Sequence, residues 1–263
     1  MNIYTVDAFT GKPFGGNPAG VCVLERGMNP KWMQSVAAEM NLSETAFLLK
    51  ANKGYMLRWF TPKTEVDLCG HATLASAHLL WEAGLCDDDE ITFHTKSGQL
   101  GAKRAGRFVE LDFPLEMDEE TEAPGLLRES LGVPFKYVGK NRMDYIVEVE
   151  DESAVKNLQP DFALMKLMSA RGVMVTAPSE KNDFDFVSRC FFPALGIDED
   201  PVTGSAHCCM GPYWAKKLGR RELNARQISQ RGGELKLSVL DKRILIYGEA
   251  VTVIKGELAG EAE

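Results

Sequence analysis

Asp67-Leu-Cys-Gly-His-Ala-Thr-Leu-Ala-Ser-Ala-His-Leu-Leu-Trp81 is the stretch that decides how this chain folds. Gly70 and His71 open a run of small and apolar residues that lasts until Gly84. As a helix, the run places Ala, Leu and Trp on nearly every side and keeps no polar face for water. It predicts a buried helix of roughly 14 residues, with Gly84 as its stop signal. Such a helix needs other elements wrapped around it, and its unpaired N-terminal amides need an anion or another acceptor.

The stretch has an echo in Glu199-Asp-Pro-Val-Thr-Gly-Ser-Ala-His-Cys-Cys-Met-Gly-Pro-Tyr-Trp214, which runs on to Lys216-Lys-Leu-Gly219. Gly70-His71-Ala72 lies over Gly204-Ser205-Ala206 at an offset of 134 residues. Thr45-Ala46 matches Thr176-Ala177, and Arg58-Trp-Phe60 matches Arg189-Cys-Phe191, both at 131. Ser97-Gly-Gln-Leu100 matches Gly232-Gly-Glu-Leu235 at 135. Matches that keep their order under a slowly drifting offset point to an internal duplication. A period near half the chain means two similar domains and not a solenoid. The expected division is an N-terminal lobe, residues 1–115, with the last strand at about 250–263 as a candidate addition, and a C-terminal lobe, residues 116–249.

The surrounding chain fits that plan. Alternating or branched segments predict strands at Asn2 to Ala8, Ala19 to Leu24, Ser43 to Leu49 and Tyr55 to Phe60. Asn29-Pro30 starts a helix to about Met40, with Asn29 as N-cap and Pro30 at the first helical position. Hairpin strands follow up to Phe113. Five acidic residues between Pro114 and Pro124 read as a solvated linker. In the second half, helices are expected at Gly125 to Leu131, Glu152 to Asn157 and Asp161 to Ala170. Strands are expected near Phe135 to Val138, Tyr145 to Val149, Val173 to Thr176 and Phe184 to Phe192. Three more fall at Ile228 to Gln230, Leu235 to Val239 and Arg243 to Tyr247, and a last one at Ala250 to Ile254. Pro212 inside the second apolar helix removes a backbone hydrogen bond and should kink it. Each half thus wraps mostly antiparallel strands around one helix. The fold class is α+β, and two such lobes side by side would leave a cleft.

Composition narrows the partners. The 263 residues are 44% hydrophobic and 26% charged, with a net charge of −8, which describes an ordinary globular chain. Lys and Arg form no long cluster, so nucleic acid is not an expected partner. No apolar run is long enough for a membrane span, and the first residues lack the pattern of a signal peptide. The six cysteines have no disulfide or zinc-ribbon spacing and read as buried small hydrophobes in a reducing, cytoplasmic setting.

Four segments, Val6-Asp-Ala-Phe-Thr-Gly-Lys-Pro-Phe-Gly-Gly-Asn-Pro18, Ser43-Glu-Thr-Ala-Phe47, Asp67-Leu-Cys-Gly-His-Ala-Thr73 and Glu199-Asp-Pro-Val-Thr-Gly-Ser205, together resemble the phenazine-biosynthesis PhzF-like family. The resemblance runs from the first strand to the last. It implies the diaminopimelate epimerase-like fold, with two pseudo-symmetric domains that each curve a sheet around a central helix, and it implies a homodimer. It also implies a cofactor-independent isomerase acting on a small carboxylate-bearing substrate. Glu44 would be the general acid/base that moves a proton between carbons, assisted by His71, Asp200 and Ser205. Asn17, Ser43, Gly70, Thr73 and Gly204 would contact the substrate.

The residues themselves say less. Glu44 precedes an apolar run, so it should sit at the edge of the core, where desolvation raises a carboxylate pKa. Taken alone, it could equally be a surface or capping glutamate. Its counterpart in the repeat is Val175, so only one half carries this carboxylate. His71 and Ser205 each follow the glycine that opens a central helix, where amides and dipole favour negative charge. Either could instead be a capping or core residue. Asp200, before Pro201, is a turn residue unless it lies near Glu44, whose pKa it would then raise.

Cys69 stands where diaminopimelate epimerases carry a catalytic thiol. The matching loop, Asp200-Pro201-Val202, offers no second thiol, so Cys69 reads as packing. An amino-acid racemase or epimerase using Glu44 or Cys69, and a non-catalytic binding protein on the same fold, remain alternatives. No dinucleotide fingerprint, phosphate loop or zinc-protease motif is present. His207-Cys208-Cys209 are adjacent on a helix and cannot all ligate one ion. No cofactor and no metal is expected.

Overall fold

The computed structural model describes residues 1–259, and the expected closing segment at 260–263 lies outside the described residues. Backbone contacts divide the chain into two units. One is Met1–Asp112 with Tyr247 onward, and the other is Phe113–Ile246.

In the first unit β1 (Asn2–Ala8) pairs antiparallel with β2 (Asn17–Leu24). Helix α1 (Pro30–Met40) follows, with Pro30 in its first turn and the Asn29 side chain accepting from the Lys31 amide at 2.9 Å. Asn41 ends it in the left-handed region, φ 50°, which Asn tolerates better than most residues. β3 (Glu44–Lys50) then lies parallel to β2 and antiparallel to β4 (Tyr55–Phe60). The short β5 (Glu65–Val66) pairs with the end of β4 and leads into α2 (Gly70–Glu82). β6 (Glu90–Thr95) runs parallel to β4, and the hairpin β7 (Gly98–Ala105) and β8 (Phe108–Pro114) completes the run.

α2 is the helix that the opening stretch calls for. His71 through Ala77, Leu79 and Leu80 are all buried, because a segment that is apolar all round has no face it can leave in water. Gly84 follows at φ 63°, and its amide donates to the Trp81 carbonyl at 3.2 Å.

The second unit contains β9 (Glu119–Glu120), α3 (Gly125–Leu131), β10 (Tyr137–Lys140), β11 (Asp144–Glu148), α4 (Glu152–Lys156) and α5 (Phe162–Met165). It continues with β12 (Gly172–Pro178), β13 (Phe186–Phe192), a single 3₁₀ turn and β14 (Ile197–Asp200). Last come α6 (Gly204–Leu218), β15 (Glu222–Gln227), β16 (Gly233–Val239) and β17 (Arg243–Gly248). The chain then returns to the first unit, where β18 (Ala250–Glu257) pairs antiparallel with β1.

The pairing rules repeat. β11 and β12 are parallel as β2 and β3 are, and β12–β13 and β13–β14 are antiparallel as β3–β4 and β4–β5 are. The strand after each central helix returns parallel to the strand two before it, β6 to β4 and β15 to β13. One ion pair is also duplicated. Arg58 holds Glu65 through Nε (2.7 Å) and Nη2 (2.9 Å), and Arg189 holds Glu199 through Nε (2.7 Å) and Nη2 (2.8 Å). Each guanidinium also lies over a phenyl ring two residues on, Phe60 at 5.2 Å and Phe191 at 5.1 Å. These pairs fasten the short strand before each central helix to its neighbour, which fixes where the helix begins.

Three expectations need correction. The strand expected at Ile228 to Gln230 is instead β15 at Glu222–Gln227; its inward positions are Leu223, Ala225 and Gln227, and the polar Gln227 hid the alternation. The helix expected over Asp161 to Ala170 stops at Met165, after which Leu167 and Met168 bond three residues back, in tight turns. The acidic segment after Pro114 is no mere solvated linker. Glu119 and Glu120 pair with β10, the Tyr137 hydroxyl donates to Asp118 at 2.6 Å, and Arg142 pairs with Glu116 at 2.8 Å. Helix α6 runs from Gly204 to Leu218 with Pro212 inside it, and the proline removes a backbone hydrogen bond as expected. The Cys208 carbonyl, which Pro212 cannot serve, accepts instead from the Glu116 amide at 3.1 Å.

Candidate active site

The start of α2 gathers the chemistry of the first unit. Because β2 and β3 are parallel neighbours and Glu44 is the first residue of β3, its carboxylate stands at the strand mouth with a side chain 14% exposed. His71, in the first turn of α2, is buried, and its Nε2 lies 3.3 Å from Glu44 Oε2. That contact is close enough for pairing but lacks the alignment of a hydrogen bond. Asn17, the first residue of β2 and fully buried, brings its Nδ2 to 3.3 Å from His71 Nδ1. An amide nitrogen can only donate, so Nδ1 is the acceptor and Nε2 carries the proton on the side facing Glu44. Burial lowers the His71 pKa to about 3, so the ring is neutral at physiological pH.

Ser43 is half-buried beside Glu44, and Gly70 is the first residue of α2. Thr73 is buried, and its hydroxyl donates to the Cys69 carbonyl at 2.6 Å. Cys69 itself, read from sequence as packing, has its Sγ 3.5 Å from His71 Nδ1 and belongs to the same cluster.

The second unit builds a different start for its helix. Asp200, the last residue of β14, is buried and accepts from the Thr203 hydroxyl at 2.5 Å. Gln227 on β15 braces the loop. Its Oε1 accepts from the Thr203 amide at 2.9 Å, and its Nε2 donates to the Asp200 carbonyl at 2.7 Å. Gly204 and the half-buried Ser205 open α6. Neither α2 nor α6 has a side-chain cap on its first turn. Sequence reasoning missed Gln227, whose buried amide is the signal of a polar network inside the strand. His207 is a buried core ring. It lies against Phe186, is held to about 4 mainly by burial, and bonds through Nδ1 to the Thr203 carbonyl at 2.8 Å.

Two duplicated α+β units, each with one central helix, make up the fold, and the first sets a glutamate against a buried histidine at its helix start. The chain belongs to the phenazine biosynthesis-like family, whose model matches residues 6–256. An isomerase of Halalkalibacterium halodurans, described as uncharacterized, is 55% identical over 258 residues, covering 97% of each chain. The crystal structure of a PhzF-family protein from Enterococcus faecalis superposes with a TM-score of 0.95 at 42% identity, covering 98% of each chain. A Pseudomonas aeruginosa protein described as a predicted epimerase shares the fold, at 23% identity and a TM-score of 0.72 over 99% of each chain.

Proposed function

We propose that this protein is a cofactor-independent isomerase that moves a proton between carbons of a small carboxylate-bearing substrate, with Glu44 as the general acid/base. The observation that carries this reading is the 3.3 Å approach of a partly exposed carboxylate to a buried, neutral imidazole. An imidazolium there would tie up Glu44 as an ion pair and weaken it as a base. A neutral ring leaves the charge of the carboxylate uncancelled, and Asn17 holds the ring in that tautomer. The uncapped first turn of α2 supports binding of the substrate's acid group, because its amides and dipole favour an anion. The family relatives described as isomerases support the reaction class. Asp200 and Ser205 are assigned to the same reaction, Asp200 through its braced carboxylate and Ser205 through its hydroxyl.

Incorporation of solvent deuterium into a panel of small unsaturated and amino carboxylic acids, followed by proton NMR, tests the proposal. The wild-type protein is expected to label at least one acid. Glu44→Gln should lower the rate by about 10³-fold. Asp200→Asn and Ser205→Ala should lower it by roughly 10- to 100-fold. Loss on Cys69→Ser with retention in Glu44→Gln would replace this mechanism with a thiol-based racemase. An acid that binds without ever exchanging would leave a binding protein.

A further inference from the structure

The same cluster has donor chemistry that proton transfer does not use. One ligand atom each from Glu44, Cys69 and His71 lie within 4.8 Å of one another, the only such group of histidine, cysteine and carboxylate side chains among the described residues. We propose that Glu44, Cys69 and His71 form a binding site for a borderline-soft divalent cation such as Zn²⁺, and that its occupancy arrests proton transfer at Glu44. The second half of this inference rests on the function proposed above; the first does not.

Donor type selects the metal. A thiolate, an imidazole and a carboxylate suit zinc or cobalt and do not suit magnesium or calcium, which take oxygen alone. Three protein ligands and one open position make up the ligand count of a zinc site that exchanges its fourth ligand. Tetrahedral bonds of about 2.0–2.3 Å place ligand atoms roughly 3.5 Å apart. Cys69 Sγ and His71 Nδ1 already stand at 3.5 Å, and His71 Nε2 and Glu44 Oε2 at 3.3 Å. The ring gives an ion only one nitrogen, so the ligand on its other side must shift by about 1 Å to close the site.

The ion takes His71 Nδ1, the ring nitrogen that carries no proton, and displaces the Asn17 amide that donates to it. Cys69 binds as the thiolate, so a thiol proton leaves to solvent as the S–metal bond forms, and affinity rises with pH. The partial exposure of the Glu44 side chain, 14%, gives the ion a route in. Once ligated, the carboxylate is a weaker base, because the cation's charge draws on the electrons with which it would take a proton.

Cobalt titration of the full chain tests the site without any turnover. Wild-type protein with Co²⁺ is expected to develop a near-ultraviolet thiolate-to-cobalt charge-transfer band at one equivalent, which Zn²⁺ removes and millimolar Mg²⁺ does not. Cys69→Ser should abolish the band, and Glu44→Gln should keep it with affinity lowered at least about 10-fold. Cys86→Ser, at a part-buried cysteine outside the cluster, should leave it intact. Thermal melts of each variant show whether the fold is retained. Absence of the band from the wild type, or its survival in folded Cys69→Ser, overturns the site. Unchanged affinity in Glu44→Gln overturns the role of the carboxylate. Deuterium exchange by the wild type that persists with Zn²⁺ saturating the site overturns the arrest while leaving Glu44 as the acid/base. Failure of Glu44→Gln to slow exchange sinks the proton-transfer reading while leaving the cation site to the cobalt band.

Discussion

At α2 the residue after the opening glycine is His71, and it meets a carboxylate from β3; at α6 that residue is Ser205, and by strand register the position equivalent to Glu44 is the buried Gly172, not the Val175 that the sequence offset gives, because Val175 pairs with Arg189 as Phe47 pairs with Arg58. The structural devices around these positions are nonetheless the same. In α2 the Thr73 hydroxyl donates to the Cys69 carbonyl, and in α6, at the matching offset, His207 Nδ1 donates to the Thr203 carbonyl. Both helices are preceded by the same arginine–glutamate clamp. Duplication has kept whatever places the helix and has let go of the residues that would do chemistry. This is expected if a misplaced helix costs the fold of either unit, whereas the proposed reaction needs only one base.

Breaking the clamps should show the two units to be unequal, and this is the largest effect expected of any single substitution on stability. Arg189 also donates through Nη1 to the Leu158 carbonyl at 2.8 Å and the Val155 carbonyl at 3.3 Å, whereas Glu65 keeps Lys96 at 2.5 Å when Arg58 is removed. Arg189→Leu is therefore expected to cost about 3–5 kcal/mol and Arg58→Leu about 2 kcal/mol, by urea denaturation. Equal costs would mean the extra bonds contribute nothing.

The buried histidines give each unit its own acid sensitivity. His71 titrates at about 3 and His207 at about 4 in the folded protein, both lowered first by burial, against 6.5 when unperturbed. The unfolded chain therefore binds the extra protons first, and stability present above pH 6.5 drains away as pH falls toward the folded values. At pH 4 each histidine should account for about 3 kcal/mol. Denaturation curves at pH 7 and pH 4 give the total acid sensitivity, and His207→Gln should shrink it by the second unit's share. A protein equally stable at both pH values would show that these rings are not held neutral by burial.

The smallest effect sharpens the equivalence of Thr73 and His207. Thr73→Val removes one hydrogen bond to the Cys69 carbonyl, which keeps the Thr73 amide at 3.1 Å as a partner, so the expected cost is about 1 kcal/mol. A cost several times larger would mean that the hydroxyl holds the helix start by itself.

What could be read in advance was whatever depends on periodicity and on order along the chain. The all-round apolar run at Gly70 to Glu82 became the buried helix, and Asn29-Pro30 became its capped entry into α1. The drifting offset became two units with matching strand pairings. β15 escaped because Gln227 is polar and faces inward, and β5, β9 and β14 escaped because two to four residues carry no period. Glu44 and His71 could be nominated only through family likeness. A lone glutamate in sequence looks like any surface charge, and no spacing rule brings residues 44 and 71 together.

The order of apolar and polar residues by itself determined the duplicated α+β architecture, the helix that each half must bury and the absence of a second glutamate. The tertiary structure alone decided that Asn17, Glu44, Cys69 and His71 share one small volume, that the ring is neutral, and that Glu116 serves the carbonyl Pro212 leaves free. Periodicity is a property of a segment and survives without its neighbours. A pKa, a ligand set or a satisfied carbonyl belongs to groups far apart in the chain and exists only once folding has excluded water from between them.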